Sequence, residues 1–155
     1  MTTRVSDVLL DPETRPYAVR VLSEVIDEEV HGKRGLAGTA VRAAYAAVRR
    51  IDRGVVPRAV DEMLPDFAHV LDAYWSEGDD LSARLTSHAD EVAEALLTVT
   101  DAQARHGHHA ALAVVYHTLR SHAASHVRAA LPRLGRAVSG LLAAPGPPPP
   151  GAAPD

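Results

Sequence analysis

Histidine is the residue type in this chain best suited to chemistry. There are nine, and six of them fall after residue 101. His122-Ala-Ala-Ser-His126 sets two imidazoles one helical turn apart, a spacing that chelates a divalent cation. His106, His108 and His109 sit where a loop enters a helix. His106, His109, His122 and His126 are therefore the candidate metal ligands, and a divalent metal is the one cofactor the sequence offers. The pair at 122 and 126 lacks the glutamate of the His-Glu-x-x-His signature, so no general base accompanies it. The competing reading is a surface cluster that titrates near pH 6.5 without binding a metal.

Carboxylate-x-x-His occurs twice, at Glu28…His31 and Asp66…His69. Di-iron bundles use Glu-x-x-His on two helices. Here His69 lies opposite the apolar residues Phe67, Val70 and Leu71, and His31 falls at a helix end, so both read as solvated positions. The segment Gly32-Lys33-Arg34-Gly35-Leu36-Ala37-Gly38-Thr39 resembles a phosphate loop only superficially. A P-loop needs lysine after its final glycine and a strand before it. Lys33 and Arg34, beside the free N–H groups of the next helix, remain as candidate anion-binding residues. No Gly-x-Ser-x-Gly elbow and no dinucleotide fingerprint occur, and the absence of cysteine removes thiolate chemistry and disulfides. No catalytic residues are assigned.

The elements that must position these residues are helical throughout. Val19, Leu22, Ile26 and Val30 define a helix over about 13–31, with Pro16 in its first turn and Gly32 as its stop. A second, about 37–52, carries Ala40, Val41, Ala44, Tyr45, Val48 and Ile51 on one side. A third spans about 56–75, through Val60, Leu64, Phe67 and Leu71, with a kink or break expected at Pro65. A short helix near 81–86 follows Asp79 and Asp80, which are suited to capping it. The remaining helices cover about 89–104, 108–120 and 123–143, the last with Pro132 inside it. No stretch alternates with period two, so the chain is expected to be all-α. Tyr45, Phe67, Tyr74, Trp75 and Tyr116 read as core, with Trp75 covering an end.

The same features recur in the same order. Residues 21–27 match 95–101 and share a final aspartate, Asp27 and Asp101. His31-Gly32 recurs as His106-Gly107. Tyr45…Arg49 recurs as Tyr116…Arg120, and Leu64-Pro65 as Leu131-Pro132. These pairs predict two tandem three-helix repeats, about 13–75 and 88–143, within one domain over 1–144. Three short helices bury their stripes poorly alone, whereas two packed copies would make a six- to seven-helix bundle. Residues 145–155, rich in proline and glycine, read as a disordered tail.

The phrases at Ser6–Pro12, Asp90–Leu97 and His126–Gly135 resemble an uncharacterised family of short actinobacterial helical proteins. The resemblance covers about residues 5–140. It implies a compact all-α domain in a cytoplasmic actinobacterial setting, and it brings no activity and no site residues.

Charge is unevenly divided. The formal net charge of −4 splits into −8 over residues 1–101 and +4 over 102–155. Arg42, Arg49, Arg50, Arg53 and Arg58 form a basic strip, but acids interleave with it and aromatics are only 4% of the chain. Nucleic acid is therefore not an expected partner. No apolar run reaches the ~18–20 residues of a membrane span, and no secretory signal opens the chain, so the cytoplasm is the expected compartment. The expected role is non-enzymatic: a protein–protein interaction module, or a homo-oligomer, with opposite fields on its two halves. The alternative is a metal or small-ligand binder built on residues 106–126.

Overall fold

The structure, a computed structural model, describes residues 3–107 and 109–144. Every regular element there is helical: α1 (Val5–Leu9), α2 (Arg15–His31), α3 (Gly35–Ile51), α4 (Val55–Asp72), α5 (Leu81–Ser87), α6 (Ala89–His106), α7 (Ala110–Leu119) and α8 (Ala123–Ala143). A 3-10 turn, Arg120–His122, joins the last two. The proline-rich segment 145–155 lies outside the described residues.

Local chemistry sets the helix ends. Asp80 accepts a hydrogen bond from the Ala83 amide at 3.1 Å and so caps α5. Asp90 and Glu91 in the first turn of α6, with Arg105 and His106 in its last, complement the helix dipole. Between α2 and α3, Gly35 turns the chain with φ of +76°, a conformation open to glycine because it has no Cβ.

The core lies among α2, α4, α6 and α8. α2 packs on α4 and on α8, and α6 packs on the same two helices. Leu64, Leu97, Leu131, Val60, Val92 and Val138 are buried there, each contributing about 1.5–3 kcal/mol relative to exposure. The short helices sit across this layer, α1 against α4 and α5 against α8, and insert Val5, Leu9, Leu81 and Leu85, all fully buried. α3 and α7 lie outside, packed on each other and on α2 and α6 respectively.

Four features refine the sequence expectations. Neither proline breaks its helix: α4 runs through Pro65 and α8 through Pro132. Pro65 has no N–H for the Asp61 carbonyl one turn back. Arg15 supplies a donor instead, with Nη2 2.8 Å from that oxygen and Nε 2.7 Å from the Asp61 carboxylate. The third helix also stops at Asp72, three residues early. Asp72 accepts from the Ser6 amide at 2.9 Å and the Ser6 hydroxyl at 2.6 Å, satisfying the start of α1. Trp75 lies beyond it, half-buried, and donates from Nε1 to the Thr3 carbonyl at 3.1 Å.

The other two concern helix identity and face. α1 is an additional helix that sequence periodicity did not resolve, because five residues span little more than one turn. On α3, Val41, Tyr45 and Val48 face the core as expected, but Ala40 is exposed and Ile51 is 77% exposed.

Candidate functional site

α3 is apolar on two opposite faces. One face holds Val41, Tyr45 and Val48 against the bundle. The other presents Leu36, Ala40, Ala43, Ala47 and Ile51, which recur at intervals of four, three, four and four residues and are all exposed. Leu36 is 92% exposed and Ile51 77%. At ~100° per residue these five fall in one narrow stripe along the helix. Neighbouring α7 has the sequence Ala-Ala-Leu-Ala-Val-Val-Tyr-His-Thr-Leu and buries no residue fully; Val114 on it is 66% exposed. Single exposed apolar residues are ordinary, whereas a large contiguous apolar patch marks a binding surface or an aggregation-prone one.

Two matching polar clusters hold these outer helices in place. Asp27, near the end of α2, accepts hydrogen bonds from the Tyr45 hydroxyl and from Arg49 Nη1, the latter at 3.2 Å. Asp101 on α6 accepts from the Tyr116 hydroxyl at 2.5 Å and from Arg120 through Nε at 2.9 Å and Nη2 at 3.1 Å. In each cluster the tyrosine and arginine are four residues apart, and so on one side of the chain. Hydrogen bonds from Arg120 hold the Asp101 carboxyl below the usual carboxylate range, against the opposing effect of its burial. Burial first, then the Asp101 hydrogen bond, pushes the Tyr116 phenol up to about 12, and Tyr45 is raised for the same reasons. Both phenols stay neutral near pH 7 and both aspartates are already engaged. The clusters therefore brace α3 and α7 and are poorly set for acid–base work.

The predicted ligands are scattered over several elements. His109 Nε2 lies 3.1 Å from the Glu62 carboxylate on α4, which also accepts a hydrogen bond from the Gln103 amide. His106 ends α6, His122 closes the 3-10 turn and His126 lies one turn into α8. His126 is lowered by its own burial and by the charges of Lys33 and His122 nearby. A lysine beside an imidazole opposes a bound cation. Among the described residues, no group of three or more His, Asp or Glu side chains is arranged to hold a metal ion. His108 lies outside the described residues. Of the predicted anion-binding pair, Lys33 reaches Glu29 at 3.8 Å while Arg34 stands exposed at the start of α3.

The other notable space is an apolar cleft between the helices. This cavity, of about 220 Å³, lies among α1, α2, α4, α6 and α8, and its walls expose no polar atom. Val60, Leu64, Leu96 and Leu134 are among the residues around it.

These features define a small all-helical protein without a catalytic or metal-binding cluster among its described residues, and no helix there is long and apolar enough to cross a membrane. The chain matches, over residues 5–142, a family described as a family of unknown function, DUF6918, and belongs to it. No curated protein and no solved structure matches the chain.

Proposed function

We propose that the protein is non-catalytic and works through protein contact, and that the outer face of α3 pairs with the same face of a second copy. The exposed stripe from Leu36 to Ile51 carries this reading. Its order is large, small, small, small, large. An antiparallel second copy sets Leu36 against Ile51 and Ala40 against Ala47, with Ala43 next to the twofold axis. Small residues at the centre let two helices approach to the short end of the ~8–10 Å range, and large ones at the ends lock the register. Such a surface is self-complementary, as a closed twofold dimer requires.

Tandem duplication accounts for the paired outer helices. We read the repeating unit as four helices, residues 5–72 and 81–143, each containing one Asp–Tyr–Arg cluster and one Leu-Pro. In support, α1 packs on α4 as α5 packs on α8, and α2 packs on α4 as α6 packs on α8. Val5-Ser6…Leu9 and Leu81-Ser82…Leu85 extend the match to the short helices.

Sedimentation equilibrium tests the pairing. The wild-type chain is expected to be a dimer, and Ala43→Arg a folded monomer, since residue 43 is exposed and touches no core. Salt separates this from association driven by the opposite charges of the two halves. Antiparallel pairing brings Arg34 of one copy towards Arg53 of the other, and neither makes an ion pair among the described residues. Raising ionic strength from about 0.01 to 0.15 M shortens the screening length from roughly 30 to 8 Å, and the dimer should tighten. A dimer that loosens with salt, or one untouched by Ala43→Arg, would contradict the proposal.

A further inference from the structure

The apolar cleft among α1, α2, α4, α6 and α8 adds a second binding property, independent of the α3 face. We infer that it takes the hydrocarbon part of an uncharged medium-chain aliphatic molecule, whose polar end lies in the smaller pocket beside it.

Three observations lead there. First, the cleft presents no polar atom, so an apolar guest that fills it removes only apolar wall from water. A cavity of ~150 Å³ holds benzene, so about 220 Å³ has room for roughly nine carbons. Second, a neighbouring space of about 90 Å³ shares Met63 and Thr100 with the cavity, so these two side chains form the partition between them. Methionine is unbranched and flexible, which suits it to yield to an elongated guest. Gln103, His109 and Tyr116 border the smaller space, and a polar end there would share or replace the bonds they make to Glu62, Asp101 and Thr100. Third, the charge there is wrong for an anion. The carboxylate of Glu62 contacts both Gln103 and His109, and Asp101 lies against the Tyr116 hydroxyl. Asp101 is paired with Arg120, so Glu62 is the acid that a fatty carboxylate would approach, whereas an alcohol or aldehyde of equal length carries no charge for it to repel.

The guest enters between partly exposed side chains. Leu9, Leu64, Val60 and Leu71 are buried, but Phe67, Val127 and Ala130, which also border the cavity, are only half-buried. Rotamer changes at these positions open a path without unfolding a helix.

A homologous series of n-alkan-1-ols from four to fourteen carbons, followed by methyl NMR and thermal melting at neutral pH, tests this. Binding is expected to be strongest at eight to ten carbons, with the largest methyl shifts at Val60, Leu64 and Leu96. Nonanoate should bind at least ten-fold more weakly than nonan-1-ol. Ala130→Leu, which fills the space, should abolish binding while melting no lower than wild type. Met63→Ala, which removes the partition, should move the optimum to longer chains. Absence of binding at every chain length, equal affinity for nonanoate, or undiminished binding to a folded Ala130→Leu would overturn the inference. Ala43→Arg is expected to leave the alcohol series unchanged, so failure of the α3 pairing and failure of the cavity are read separately.

Discussion

Gly135→Ala should lower the melting temperature by about 5–10 °C, while Gly140→Ala on the same helix should raise it. Alanine is the better helix former by roughly 1 kcal/mol, so propensity alone favours both changes. Their surroundings differ. A Cβ at Gly140 meets nothing within 4 Å, whereas one at Gly135 is driven against the Ser82 backbone, 2.9 Å from its nitrogen and overlapping its Cα. Backbone cannot rotate away as a side-chain tip does, so α5 must shift as a unit. That helix carries Leu81 and Leu85, both fully buried, and the hydrogen bond from the Ser82 hydroxyl to the Pro132 carbonyl at 3.1 Å. Overpacking of this sort costs about 1–3 kcal/mol, and lost burial at two leucines adds to it. A net loss of about 2–3 kcal/mol corresponds to the stated shift at roughly 2–4 °C per kcal/mol. Equal melting of the two variants would mean that α5 does not lie against α8.

Asp101→Ala is the second large effect, an expected loss of about 2 kcal/mol. The carboxylate takes two bonds from Arg120 and one from Tyr116, and hydrogen bonds to charged groups contribute about 1.5–3 kcal/mol. The site is partly exposed, which keeps the figure towards the lower half of that range. Its pH dependence has a definite sign. Because the folded-state value of Asp101 is depressed, its contribution is fully present above the unfolded value near ~4 and is lost as pH falls through the lower folded value. The stability gap between wild type and Asp101→Asn, measured by urea melts, should therefore be constant from pH 7 to about 5 and close in acid below about 4. Tyr116→Phe combined with Asp101→Asn should cost less than the sum of the two, since they share one cluster. A gap that widens in acid would contradict the assignment.

The helices were legible because apolar spacing survives in a chain this rich in alanine. The bounds of α8 agree with those read from the sequence, and α2, α4 and α6 fall within a few residues of theirs. What escaped was tertiary. Periodicity cannot register a helix of one turn, although Val5-Ser6…Leu9 recurring at Leu81-Ser82…Leu85 was a usable signal. It cannot see that Arg15 supplies a donor to the carbonyl that Pro65 leaves free, so a kink or a break is all it predicts there, and of the two the break is absent because α4 runs through the proline. Alanine also carries little information about facing, since it fits core and surface alike. Ala40 and Ile51 on α3 were assigned to the core side and are exposed instead. The Asp, Tyr and Arg of each cluster were visible as recurring residues, but their convergence is a property of packed helices. The histidines drew notice by number and spacing; the structure spreads them along α6, α7, the 3-10 turn and α8, with a lysine among their neighbours.

Cross-linking decides the α3 pairing most directly, because the chain has no cysteine to interfere. A disulfide requires Cα atoms about 4.4–6.8 Å apart. Under mild oxidation Ala43→Cys, next to the proposed axis, should link to itself and yield a covalent dimer. Leu36→Cys alone and Ile51→Cys alone should not, yet a mixture of the two should give a linked heterodimer. Self-linking at Leu36, or no link at Ala43 under conditions where the thiol is accessible, would contradict antiparallel pairing through this face.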